Sequence, residues 1–444
     1  MVSQYSPSMV LYGVISLTIF AVSFINIEYG LYILIFSMLL SPEISVGQTE
    51  GASLGRGLTL RFEDFLLVII GLSWFAKNAV YKELGLFLRT PLNKAILFYV
   101  LACLISTGFG IMTGRVGVKT GSLFVVKYFE YFIVFFMMVN HVKNTDQIKR
   151  FVFCLFLTCF IAAIIGMFQI PGGGRVSAPF EGDIGEPNTF GGYLLFIGAV
   201  AAGLLTRVDD KRYKQLLAIL IVCIIPAFLF TQSRTSYVAL IPVVLVLGLA
   251  ARKKIIVLGV MAISLLISPL LVPTVVKERV MFTFEQPEES GQIHIGDMRL
   301  DTSTSARVTN WKDAFEAWTQ HPIVGYGVTG HRFVDAQYPR VLVETGILGL
   351  IAFLYLLYTV FKIAFMNVRN LKTSYFRGLS IGFLAGYIGL LVHALGANTF
   401  IIVRIMEPFW FLAGIITVLP ILERQSAANE SLEEVQRAKF APAS

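Results

Sequence analysis

QLLAILIVCIIPAFLF, TQSRTSY and VALIPVVLVLGLA follow one another over residues 215–250, and their reading decides the fold. Two apolar runs, close to the roughly 20 residues that cross a bilayer core, flank the polar break Thr231-Gln-Ser-Arg-Thr-Ser-Tyr237. The break is too short to hold a domain, so the segment reads as two spans joined at a membrane surface. Arg234 sits in that junction. A fixed cation at the edge of a membrane is costly and usually has a partner or a task.

The same pattern extends over the whole chain. The 444 residues are 56% hydrophobic and 14% charged, with mean hydropathy +0.74. This composition marks a polytopic, all-α membrane protein and excludes a soluble domain. The spans are expected near 9–25, 28–41, 63–80, 93–112, 121–140, 151–170, 189–206, 215–231, 235–251, 255–272, 346–366, 377–397 and 402–422, giving 12–13 transmembrane helices. The block 9–41 reads as two short spans or one tilted hairpin. The start of the chain carries no basic segment of the kind that precedes a cleaved signal. Cys103, Cys154, Cys159 and Cys223 all lie inside apolar runs and read as small core residues.

Charge gives the orientation. Basic clusters at Lys77–Lys94, Lys143–Arg150, Arg207–Lys214, Arg252–Lys254 and Arg369–Arg377 are separated by pairs of spans. The positive-inside rule puts them in the cytoplasm. The net charge of +8 is therefore spread over alternate loops and is no nucleic-acid signal. Segments 42–62, 113–122, 171–188, the Arg234 junction and 273–345 then face outward. Four regions follow: helices 1–10 over 1–272, an extracytoplasmic loop over 273–345, three last spans over 346–423, and a cytoplasmic tail over 424–444 expected to be disordered.

The long loop holds one amphipathic helix, about 303–319, capped by Asp301, Thr302 or Ser303. Trp311, Phe315 and Trp318 recur on it at helical spacing, which suits a membrane interface, and Arg307 precedes Trp311 by one turn. Gly325, Gly327 and Gly330 make a turn-rich stretch; neither a strand before it nor a helix after it fits a dinucleotide loop.

The candidate site residues all lie on the outward side. Arg234 and Arg307 are candidate phosphate clamps, since a guanidinium offers paired donors to such groups. Ser233 and backbone N–H groups at the next helix start add donors. Arg175 is a third cation, in a loop that leads to Pro187 and Asn188. Asp335 is a candidate base or hydroxyl-orienting carboxylate. Each has a simpler reading: a snorkelling arginine, a solvated helix charge, a turn. For Glu344 the simpler reading is a helix-start charge. Lys127 with Glu130, and Arg404 with Glu407, are three residues apart and read as self-pairing within one helix; His393 is a further in-span polar group, and the alternative reading of all five is a proton or substrate path. Three cations near one carboxylate suit a pyrophosphate leaving group and a hydroxyl acceptor.

Taken in order, these pieces resemble the O-antigen ligase and O-antigen polymerase (Wzy-type) superfamily. The resemblance rests on Thr231-Gln-Ser-Arg-Thr-Ser236, on Arg307 and Trp311 followed by His321-Pro-Ile-Val-Gly-Tyr-Gly-Val-Thr-Gly330, and on Tyr338, Leu342, Glu344, Gly346 and Leu348-Gly-Leu350. The loop from Gly174-Arg175 to Pro187-Asn188 also looks like the family. The resemblance implies a GT-C-like membrane glycosyltransferase of the bacterial inner membrane, with its site facing the periplasm. Its donor would be a glycan on undecaprenyl pyrophosphate, its acceptor a second glycan, with no metal or cofactor. A chain-length regulator is the protein partner to look for. In ligases a histidine followed by asparagine typically stands where this chain has Asp335-Ala336, so a polymerase of exopolysaccharide or O-antigen repeat units is favoured. The rival readings are a ligase to lipid A–core, a protein O-glycosyltransferase, and a transporter of lipid-linked glycan.

Overall fold

Arg234 opens a helix, and the break before it is a turn. In the computed structural model, which describes residues 7–45, 59–81, 88–181, 185–250 and 301–440 with scattered positions between 274 and 299, the quoted segment forms α8 (Lys211–Phe230) and α9 (Arg234–Ala250). Asp210 caps α8 by accepting from the Tyr213 N–H at 2.6 Å. Gln232, with φ +50°, takes the left-handed turn between the two helices.

The remaining helices are α1 (Pro7–Ile25), α2 (Ile27–Leu40), α3 (Phe62–Tyr81), α4 (Pro91–Met112), α5 (Val118–His141), α6 (Thr145–Gln169), α7 (Pro187–Leu205), α10 (Thr302–Gln320), α11 (Gln337–Asn370), α12 (Ser374–His393) and α13 (Val403–Phe440). Two 3-10 turns, Ile170–Gly172 and Thr399–Ile401, and two short antiparallel pairs also occur: β1 (Glu43–Ser45) with β2 (Thr59–Arg61), and β3 (His294–Ile295) with β4 (Met298–Arg299). The chain is thus an all-helical polytopic membrane protein. Among the described residues, eight helices are long and apolar enough to cross a membrane, and α1, α2 and α9 hold shorter apolar stretches. The expected span 255–272 lies outside the described residues. The 9–41 block is two helices, broken at Asn26, whose side chain caps α2 through the Glu28 N–H at 3.0 Å.

Helices α7, α12 and α13 are the most enclosed spans, and α8 is the least. Apolar area does not drive helices together inside lipid, so close approach of small residues has to. On α7 and α12 it does: a Cβ on Gly203 would lie 2.2 Å from the Gly382 nitrogen, and one on Gly382 would lie 2.6 Å from the Val200 Cα. This pairing joins α7 to α12 at the end of α7 remote from the α8–α9 turn; beside that turn a Cβ on Gly191 of α7 would lie 3.0 Å from the Ser236 Cβ.

Two expectations need correcting. The helix expected to begin at 346 begins at Gln337 and is broken at Gly346, where φ is +64° and ψ −168°. That region is essentially restricted to glycine. The turn 321–330 docks into the break: Tyr326 N donates to Val343 O at 3.0 Å, Gly327 N to Glu344 O at 2.8 Å, and Ile347 N to Pro322 O at 2.9 Å. Thus the glycine-rich stretch supplies the hydrogen bonds that a broken membrane helix lacks. The tail is also not irregular: α13 continues to Phe440. Its Ala-, Glu- and Gln-rich sequence has good helix propensity and extends a helix already nucleated.

Candidate active site

The turn before α9 is built by its own hydroxyls. Thr231 Oγ1 accepts from the Ser233 N–H at 3.3 Å, and Ser233 Oγ accepts from the Ser236 N–H at 3.3 Å. Ser233 therefore caps the first turn of α9, and Arg234 projects from that turn. Its Nη2 lies 2.7 Å from Asp301 Oδ2. Asp301 is buried and also caps α10, accepting from the Thr304 N–H at 3.3 Å. Burial would raise the Asp301 carboxyl, but the bonds from Arg234 and Thr304 outweigh it and hold the group below its ordinary value. One carboxylate thus ties α10 to the α9 start.

The tie brings Arg307, on α10, to the cavity that Arg234 faces. This cavity of about 500 Å³ is lined by both arginines with Thr235, Thr304, Val238 and Ile241 from one side, and by Val392, Leu395 and Gly396 from the end of α12. Arg307 is half-buried and makes no ion pair among the described residues. Two guanidinium groups and one carboxylate leave a net positive charge at the polar end. Val238 and Ile241, one and two turns into α9 from Arg234, and Leu395, beside the polar end, are exposed apolar side chains along the cavity. The arrangement suits an anion attached to an apolar chain.

Arg175 reaches the same turn from the α6–α7 connection. Its Nε donates to Thr231 O at 3.0 Å, and its Nη2 lies 3.3 Å from Asn188 Oδ1. It braces the backbone that presents Arg234 and is itself exposed. Glu181, in the same connection, accepts from the Ala178 and Glu186 N–H groups at 3.2 and 2.7 Å and pairs with Arg404 at 3.3 Å. Burial pushes the Glu181 carboxyl up to about 7 against the pull of Arg404.

Asp335 is half-buried at the same end and is not among the residues lining the cavity. It stands two residues before Gln337, whose N–H donates to Ala394 O at 3.1 Å, so it lies close to the Val392–Gly396 rim. Tyr338 and Glu344 are built into the scaffold. The Tyr338 hydroxyl donates to Leu391 O at 2.8 Å. Glu344 is buried, lies 3.1 Å from Arg340 Nε and accepts from the Tyr128 hydroxyl and the Thr329 N–H, both at 3.3 Å. Trp311 is half-buried on α10, next to Phe315 at 6.5 Å between ring centroids, while Ala314 on the adjacent face packs against Val334 and Val343.

The sequence leaves His393 without a role. The structure buries it wholly beside the cavity, with Nε2 3.2 Å from Ser236 Oγ and Nδ1 2.8 Å from Thr399 Oγ1. Ser236 in turn donates to Ser233 at 2.8 Å, so His393 supports the turn that carries Arg234. A histidine in an apolar span is the only sequence signal for this. The expected self-pairing of Arg404 with Glu407 does not occur. Arg404 turns to Glu181 and to the carbonyls of Pro179 and Ser41 at 3.0 and 3.3 Å, because the chain loops over the start of α13 leave those oxygens facing it.

No curated protein matches the chain. Residues 217–354, which carry most of α8, the Arg234 turn, α10, the glycine-rich turn and the break in α11, match the family model Wzy_C, described as O-antigen ligase, and over this stretch the chain is similar to that family.

Proposed function

We propose that this chain polymerises undecaprenyl-pyrophosphate-linked repeat units at the outer face of the bacterial inner membrane. The observation that carries the reading is the shared cavity: Arg234 and Arg307, 73 residues apart in sequence, face one space with apolar side chains along it. The pyrophosphate lies between the two guanidinium groups and the isoprenoid leaves along Val238, Ile241 and Leu395. As the glycan departs, negative charge grows on the bridging phosphate oxygen, and two preorganised cations lower its energy. Arg175 and Asn188 hold the turn in register, and Ser233 sets the α9 start. Asp335 takes the proton of, or orients, the attacking sugar hydroxyl. One displacement without an enzyme nucleophile and without a metal inverts the anomeric centre. Trp311 lies against the membrane interface, and Tyr338 and Glu344 keep the outer helix junction rigid.

A ligase is the second reading, favoured by the description of the matched family. The two separate in one experiment. Purified protein is given lipid-linked repeat unit alone, and products are resolved by size. A ladder of lengthening lipid-linked glycan is expected. No ladder, with transfer appearing once lipid A–core is added, would establish the ligase instead.

A further inference from the structure

A second polar assembly is buried away from the cavity, where α3, α5 and α13 meet. Arg61 lies 3.6 Å from Glu63. Lys127 is shared, 2.6 Å from Asp64 and 3.3 Å from Glu130. Arg404 lies 3.3 Å from Glu181. Each cation therefore has a carboxylate, and the fifth carboxylate, Glu407, is left over. It is wholly buried, and neither of its oxygens has a hydrogen-bond partner among the described residues. The charges that face it are Glu63 and Asp64 from α3 and Glu130 and Lys127 from α5; on its own helix Arg404 is turned toward Glu181, Pro179 and Ser41.

Among the described residues, five carboxylates against three cations leave the assembly two negative charges in excess if all are ionised. An uncompensated charge in such a place costs several kcal/mol. A bound cation would remove the cost. Among the described residues, however, no three acidic, histidine or cysteine side chains are grouped to hold a metal ion. The ligand that fits a single unpartnered carboxylate is a proton.

We propose that Glu407 is an intramembrane proton-binding site, its carboxyl carrying a proton at neutral pH within the Glu63, Asp64, Glu130 and Lys127 assembly. The proton has a structural consequence. A charged Glu407 one turn from Arg404 would compete with Glu181 for that guanidinium. Glu181 holds the backbone of the α6–α7 connection through Ala178 and Glu186, and that connection carries Arg175 against the Thr231 carbonyl. Proton occupancy thus keeps the Arg175 brace in place. The site itself does not depend on the glycosyl-transfer reading.

The test is infrared spectroscopy of the purified full-length protein in lipid nanodiscs. At neutral pH the wild type should show the carbonyl stretch of protonated carboxylic acid, shifting in D2O, and Glu407→Gln should lose a component of that band that Glu181→Gln leaves in place. Glutamine mimics the protonated form, so the variant should melt as the wild type does. A wild type without the band, or an identical band in Glu407→Gln, would overturn the proposal. Should the variant not fold, dicyclohexylcarbodiimide, which attacks protonated buried carboxyls, replaces it as probe on the wild type. A Glu407 adduct that declines as pH rises is expected; adducts confined to other residues would overturn the assignment.

Discussion

Arg307 offers the cleanest separation of function from folding. Its guanidinium lines the cavity and makes no ion pair among the described residues, so truncation leaves no buried charge behind. Arg307→Ala should therefore alter stability by less than about 0.5 kcal/mol, the usual range for a substitution that breaks no buried network. If Arg307 stabilises the departing pyrophosphate, the same change removes one preorganised charge from the transition state, roughly 2.7–4 kcal/mol, or about a hundred- to a thousand-fold in rate. Arg307→Lys keeps the charge but loses the fork and should fall between. The assay is turnover of lipid-linked repeat unit by purified protein, run beside a thermal melt of the same preparation. An Arg307→Ala protein that melts normally and turns over within tenfold of the wild type would refute the reasoning. So would a variant inactive only because it is unfolded.

Arg234 should behave differently, because Asp301 is buried against it. Arg234→Ala strands that carboxylate and should cost on the order of 3–5 kcal/mol of stability as well as activity; Arg234→Ala with Asp301→Asn should recover stability in a melt and leave activity lost. The depressed Asp301 carboxyl keeps the Arg234 contact at every pH above the ordinary carboxylate range, and the contact is lost only as pH falls through the still lower folded-state value. Glu181 has the opposite sign: its carboxyl is raised to about 7, so its contribution is full below its ordinary value and is lost as pH rises through about 7. Melting temperature of the wild type should therefore decline over that window, and Glu181→Gln should flatten the decline. Gly346→Ala should abolish folded protein on size-exclusion chromatography, since φ is +64° and a Cβ would lie 2.2 Å from the Ile323 oxygen; Gly108→Ala, where a Cβ meets nothing within 4 Å, is the control.

The membrane class and the helix order were legible because apolar run length is a local property. So was the cap of α10, where Asp301 stands just ahead of a stretch in which Trp311, Phe315 and Trp318 recur at helical spacing. The break in α11 was not. Gly346 reads as an ordinary span residue until the turn 321–330 is seen filling its missing hydrogen bonds, and that contact joins segments some twenty residues apart through three dimensions. The shared cavity of Arg234 and Arg307 was half legible: both arginines stand out as polar signals, but Asp301, which sets their relation, reads only as a helix cap. Glu344 shows the reverse. Its position beside a span invites a substrate role, and the structure spends all its visible contacts on Arg340, Tyr128 and Thr329. His393 and Glu407 stood out as polar groups inside spans, but their partners did not, because a single polar residue in an apolar run gives no hint of its neighbours on other helices.

The central claim is that a lipid pyrophosphate lies between Arg234 and Arg307. A cryo-electron-microscopy map of the protein in nanodiscs with undecaprenyl pyrophosphate tests it directly. The account predicts phosphate density within hydrogen-bond reach of both guanidinium groups and isoprenoid density along Val238, Ile241 and Leu395. Phosphate bound elsewhere, with this cavity empty, would contradict it.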